Sequence, residues 1–269
     1  MARPWERLFV GAAGLFAWCV ILTPFSIVTV LMVAALAGQQ RPDPLFFLGN
    51  LVVELFATLL VGVVGAVIGA SIGIGTALLT QELVTGRLSQ AIGAATSGLS
   101  VFPAVVLGWF GATLILPALS GHTPGAVFAA ACVMVSIAVI PRSNVLAVRL
   151  LGALAPSVRE AAAAAGAGAS RVTAHVTIPA CKRQLLGIYA DALSRAVGEA
   201  AGVSVVFLAA ARAGYPVSLF TIPSSIMAHA HTMQLIDAGI AQSALVVLAF
   251  AATSKIIAAR RIGSLQWVS

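Results

Sequence analysis

Apolar residues run along this chain in long blocks broken by short polar stretches, with neither the two-residue alternation of a half-buried strand nor the narrow stripe of a surface helix. Blocks of membrane-spanning length, about twenty residues or more, fall near 9–37, 52–79, 89–119, 124–141, 186–211 and 233–257. The pattern predicts an all-α, polytopic membrane protein: six transmembrane helices in a single domain over residues 1–269. Composition agrees. Hydrophobic residues make up 60% and charged ones 9% of the chain, and the mean hydropathy of +1.06 lies far outside the range of soluble domains. Near the start, basic residues, an apolar run and Ala35-Leu36-Ala37 imitate a cleavable signal peptide. The run is too long for a typical signal core, so the first block is read as an uncleaved helix.

Charge sets the expected orientation. Twelve of the fifteen Lys and Arg, from Arg3 and Arg7 to Arg260 and Arg261, fall on one side of the six-helix scheme. Only Arg41 and Arg212 fall opposite, and Arg195 is inside a span. The positive-inside bias then places both termini in the cytoplasm of a plasma membrane, together with the loop at about 142–185. The net charge of +7 is accounted for by these rims. With no basic cluster interleaved with aromatics, nucleic acid is not an expected partner. Cys19, Cys132 and Cys181 are too few and too scattered for a disulfide framework, and His122, His175, His229 and His231 do not make a metal set.

The segment Glu160 to Pro179, EAAAAAGAGASRVTAHVTIP, is too polar to span. Ala161 to Ala165 favour helix, Gly166 and Gly168 interrupt it, and Pro179 is expected to end a helix, which gives two short helices with a bend. A small-residue hairpin of this kind suits docking into a groove. The bland alternative is an Ala-rich linker in an Ala-rich protein.

Inside the spans, Gly65 and Gly69 at four-residue spacing, with Gly62, Gly73 and Gly75, point to close helix packing. Pro103, within SGLSVFPAVVLGWFG, is expected to bend the third helix and shape a pathway. The fifth block carries Asp191, Arg195 and Glu199 at four-residue spacing on one helix face. Charge at membrane depth costs about 3 kcal/mol per group on insertion scales, so this face must point into the bundle or a wet cavity. One reading is a salt-bridge ladder that locks helices together. The other is an anion path: Arg195 offers a planar donor fork, Asp191 and Glu199 orient or neutralise it, and Gly198 and Gly202 leave the face open.

Glu160, Ala161, Ala162, Gly166, Val176, Ile178 and Pro179 resemble the EAA signature of bacterial ABC importer membrane subunits. More narrowly, FPAVVLGWFG (Phe102 to Gly111), PSVREAAAAAG (Pro156 to Gly166) and SRAVGEAAGV (Ser194 to Val203) resemble phosphate-uptake permeases of the Pst system, with the A subunit favoured over C by the short outer loop after the first span. The resemblance implies a coupling helix at Glu160, Ala161, Ala162 and Gly166, closed by Pro179, that docks on cytoplasmic ATPase subunits. Those subunits would bind ATP and Mg. It also implies a second permease subunit, an extracytoplasmic phosphate-binding protein, and an anion path past Arg195 and Glu199. The chain departs from the family at Ala200, where a Thr is common, and that leaves phosphonate, molybdate or sulfate open as the oxyanion.

No Walker A pattern occurs, so an ATPase activity of this chain and a bound cofactor are not expected; ATP would be used by partners. Gly69-Ala70-Ser71-Ile72-Gly73 fits the GxSxG pattern of serine hydrolases, including intramembrane proteases, but no His is placed to serve as its base. A secondary transporter would tolerate the buried charges yet has no use for the EAA hairpin.

Overall fold

A computed structural model describes residues 44–119, 123–153, 160–162, 164–217, 221, 222, 224, 225 and 238–262, together with positions 26, 28, 29, 32 and 33. The first apolar block therefore lies almost wholly outside the described residues, as do Cys19, His122, His229 and His231. The described residues form helices and no strands. We number them α1 (Pro44–Leu78), α2 (Arg87–Gly98), α3 (Ala104–Phe110), α4 (Pro124–Gly152), α5 (Ala169–Val172), α6 (Ile178–Val197), α7 (Ala200–Arg212) and α8 (Ala238–Ile262). Two stretches, Val52–Leu83 and Pro124–Gly152, are each long and apolar enough to cross a membrane, and two bent pairs qualify as broken spans. The chain is an integral membrane protein.

Glycines decide how the centre packs. A Cβ on Gly65 would lie 2.6 Å from Val135 Cγ1, one on Gly69 2.5 Å from the Ser136 carbonyl oxygen, and one on Gly73 2.7 Å from that of Ile140. Residue numbers rise together along this seam, so α1 and α4 run parallel with their backbones in near contact. A side chain of a single hydrogen, with no Cβ, lets two helices approach closely where lipid supplies no hydrophobic drive. The seam is also pinned by a polar clamp. Buried Asn144 donates through Nδ2 to the Gly73 carbonyl at 3.2 Å and to Thr76 Oγ1 at 2.9 Å.

Against this pair, α6 runs the opposite way: Gly62 meets Val197, and the Ser71 and Tyr189 hydroxyls lie 2.8 Å apart. Antiparallel to α6 in turn is α8, with Gly187 against Ile262 and Ser194 Oγ donating to the Ala251 carbonyl at 2.9 Å. Parallel α3 and α7 meet at Gly108 and Gly202, where a Cβ on Gly108 would sit 2.4 Å from the Gly202 carbonyl oxygen. These relative directions are the ones required if each successive apolar block crosses back. Two buried clusters result, one around Val61, Met134, Val139 and Phe207, the other around Ile74, Leu150, Leu151 and Ile188. An edge-to-face contact of Phe128 on Phe207, 5.3 Å between centroids, adds to the first.

The sequence boundaries shift most in the third, fourth and fifth blocks. The third block is no single span: after α2 a 3₁₀ turn at Leu99–Val101 leads to Phe102 and Pro103 in extended backbone, and α3 leaves at 100° to α2. Pro103 starts a helix here instead of kinking one, because a proline disfavours helical backbone in the residue before it. The fourth block continues past Pro141 to Gly152, eleven residues beyond 141. The fifth begins well before 186 and breaks after Val197. Pro179 does not end a helix either. A π turn at Thr173–Thr177 precedes it, and the chain continues as α6. That wider turn changes the hydrogen-bond register just where the proline has no N–H to give.

Candidate functional site

The three charges of the fifth block part company in the fold. Successive steps of four residues drift by about 40° around a helix of 3.6 residues per turn, and α6 ends before the third. Asp191 points between α4 and α8: its Oδ2 accepts from Arg142 Nε at 2.8 Å, and its Oδ1 pairs with Lys255 Nζ. Arg195, one turn on, donates through Nε to the Ala138 carbonyl at 3.3 Å. Glu199 stands in the break between α6 and α7, with backbone angles of −78° and 66°. The ladder of Asp191 on Arg195 is therefore replaced by a triad of Asp191 with Arg142 and Lys255. Two neighbouring helices deliver cations to the carboxylate, and Arg195 is turned towards α4.

Gly202 does not leave an open face, as its spacing suggested. A Cβ there would lie 2.7 Å from the Ala104 carbonyl oxygen and 2.9 Å from Met134 Sδ, so it serves close packing of α7 on α3 and α4.

Arg195 and Glu199 do share a cavity of about 400 Å³. Its walls are the broken segment around Ser97, Ser100 and Phe102, one face of α4 bearing Arg142 and Arg149, and the end of α6. Three arginines on one cavity make a cationic lining whose planar donor forks match the geometry of an oxyanion. Asp191 is not part of that lining and acts behind it, through Arg142. Sequence reasoning passed over Arg142 and Arg149. Ending the fourth helix near Pro141 left both as loop charges, whereas a seven-residue interval on a continued helix is two turns and one face.

The predicted docking residues lie elsewhere. Glu160 and Ala161 are exposed, Ala162 is partly so, and the turn they begin is closed by Ala165 N–H on the Ala161 carbonyl and Ala167 N–H on that of Ala162, both 3.1 Å. Gly166 ends it with φ of +83°. Behind it, α5 packs against the π turn at Leu79–Leu83, which fixes the segment near the end of α1. Pro179 belongs to α6 and not to this turn. Left-handed backbone costs an L-residue about 1–2 kcal/mol. Amide exchange over 161–168 is accordingly expected to quicken roughly 5–30-fold in Gly166→Ala, and much less in Gly166→Asn, because Asn tolerates that conformation.

Ser71 sits mid-helix with its hydroxyl against Tyr189, not on the strained elbow a serine nucleophile requires. Cys132 and Cys181 are not disulfide-bonded to each other, and no cluster of metal-ligating side chains occurs among the described residues.

No protein-family model matches the chain. A stretch of 159 residues is 25% identical to the probable ABC transporter permease protein YqgH of Bacillus subtilis strain 168, covering 56% of this chain. The match spans half the length of that relative. Among solved structures, the chain aligns with one of the MetNI methionine ABC transporter in inward-facing conformations at a TM-score of 0.67, over 84% of this chain and 99% of the other, with 15% identity. This is the fold of an ABC importer membrane subunit. A bacterial ABC transporter involved in import of the polysaccharide alginate shares the permease fold at a TM-score of 0.66, with 13% identity over 98% of this chain and 96% of the other. An amino acid ABC transporter gives a TM-score of 0.54, with 16% identity over 82% of this chain and all of the other.

Proposed function

We propose that this chain is a membrane permease subunit of an ATP-driven importer for inorganic phosphate. The observation that carries the reading is the cavity that gathers Arg142, Arg149 and Arg195 with Glu199 inside a permease fold. In it, Arg195 presents donors to the passing oxyanion, while Glu199 limits how tightly the anion is held, which suits release. Asp191 holds Arg142 in place. Glu160, Ala161, Ala162 and Gly166 form the exposed turn that docks on cytoplasmic ATPase subunits, where ATP and Mg are bound. A second permease subunit completes the pathway within the lipid bilayer, and an extracytoplasmic phosphate-binding protein delivers the anion. Both termini then lie in the cytoplasm of a bacterial plasma membrane. Ala200, in place of a hydroxyl-bearing residue, favours a broader oxyanion range, so sulfate, molybdate and phosphonate are the alternative cargoes.

The test is uptake into proteoliposomes holding the assembled complex with its ATPase and binding protein. ATP-dependent accumulation of phosphate, ahead of sulfate and molybdate, is expected. Arg195→Gln should cut it at least about tenfold, the loss of a charge-assisted hydrogen bond, while ATP hydrolysis and assembly persist. Uptake that runs without ATP would make the chain a secondary transporter instead, and unchanged uptake in Arg195→Gln would remove that residue from the path.

A further inference from the structure

Arg142 and Arg149 stand on the α4 wall of the cavity, and Arg195 reaches that wall from α6 at the level of Ala138. At 1.5 Å per residue, Arg142 lies about 6 Å, and Arg149 about 16 Å, along the helix axis from that level. Three guanidinium groups thus mark one face of one helix, from the break in α6 towards the end of α4. Nothing about helix stability calls for this. Arginines in apolar surroundings are costly unless paired or wetted, and among the described residues Arg142 is hydrogen-bonded to a carboxylate through its Nε, while Arg195 has the Glu199 charge nearby.

The triad gives Arg142 a way to move. Asp191 is 5% exposed, whereas Arg142 and Lys255 are 48% and 49% exposed. Two cations share the one carboxylate, so Arg142 can turn towards an anion while Lys255 still neutralises Asp191. Its Nε is held by Asp191, and the two Nη groups remain for an oxyanion in the cavity. Ser97 faces the same space with a hydroxyl that can donate, whereas the Ser100 hydroxyl donates to the Ser97 carbonyl at 2.6 Å.

We infer that Arg142 and Arg149 form a second oxyanion site, distinct from Arg195, onto which the anion steps on its way out past the end of α4. The inference rests on the importer reading for its direction of travel, but the site is defined by its own residues. Its ligand chemistry is a phosphate-type oxyanion, supplied as free phosphate and not as a lipid headgroup. Lys255 and Asp191 are positioning residues: neither lines the cavity.

The experiment titrates inorganic phosphate into the full chain in zwitterionic nanodiscs and follows broadening of the free phosphate ³¹P line. Broadening is expected for the native sequence and for Arg195→Gln. Adding Arg149→Gln or Arg142→Gln to the Arg195→Gln chain should weaken the apparent affinity at least about tenfold, equivalent to ~1.4 kcal/mol. Arg149→Lys should recover most of it, because a point charge suffices near the mouth. Arg142→Lys should keep the pairing with Asp191, and hence the fold, yet bind less tightly than arginine because the fork is lost. No broadening by the native chain, or an affinity in the added Arg149→Gln and Arg142→Gln variants equal to that of the Arg195→Gln chain, overturns the site. Loss of that broadening when phosphatidylglycerol is included would assign these arginines to a headgroup and overturn it as well. Uptake by the assembled complex separates the two readings. Phosphate binding without ATP-dependent uptake leaves this site standing and removes the importer, whereas uptake with unaltered binding in the variants does the reverse.

Discussion

Leucine at Gly69 is expected to cost the isolated chain about 3 kcal/mol or more of stability, at the top of the range for overpacked interiors, and the same change at Gly75 about 0.5 kcal/mol or less. Both glycines lie on α1 and would gain equally from the better helix propensity of leucine. They differ in what the new side chain meets. At Gly69 the first added carbon already lies 2.5 Å from the Ser136 carbonyl oxygen and 3.1 Å from Ser136 Cα, which are backbone atoms of α4 and cannot turn aside. At Gly75 nothing lies within 4 Å. Separating α1 from α4 would also stretch the clamp of Asn144 on Gly73 and Thr76. Thermal unfolding of the purified chain in detergent, read by intrinsic fluorescence, checks both variants side by side. Equal stability of the two would mean that the α1–α4 seam is looser than its geometry.

Removing both cations from Asp191 is the second large effect. The double variant Arg142→Met, Lys255→Met leaves a carboxylate that is 5% exposed with neither of the cations that pair with it. Stranding a buried charge in this way costs about 3–5 kcal/mol. Asp191→Asn alone should cost much less, about 1–2 kcal/mol, because the two cations it releases are half exposed and reach the wet cavity or the rim. Adding Asp191→Asn to the double variant should therefore restore most of the loss. The same unfolding measurement gives the cycle. A triple variant no more stable than the double would show that Arg142 and Lys255 hold the bundle by packing and not by charge.

The two experiments probe features that were unequally legible beforehand. Glycine spacing on α1 announced a close helix contact, and Gly69 and Gly73 meet α4 as that spacing implies. What spacing cannot name is the partner helix, because any small-residue stripe fits several neighbours. The charges of the fifth block were legible as an inward face, and Arg195 with Glu199 do line a cavity. Their pairing was not. A four-residue interval says that side chains are neighbours on an intact helix, but α6 stops at Val197, and cations from α4 and α8 compete for Asp191 at shorter range. Proline was the least reliable guide. Pro103 turned the chain by 100°, Pro141 left α4 continuous and Pro179 followed a π turn into α6. A missing N–H weakens one bond, and the surrounding packing determines whether the chain bends, breaks or continues.

By itself, then, the sequence determined the solvent and the class of element: apolar blocks of spanning length must satisfy their backbone internally, and in a chain of this pattern that means helices. It also marked the short helical turn that starts at Glu160 and its interruption at Gly166, since both depend on local backbone preference. Only the tertiary structure decided which charges meet. Arg142 and Arg149 entered the cavity because α4 continues beyond Pro141, and Asp191 left it because two other helices brought cations to its carboxylate. Hydrophobicity is a sum over neighbours in the chain, whereas an ion pair depends on distances between helices that the chain order does not specify.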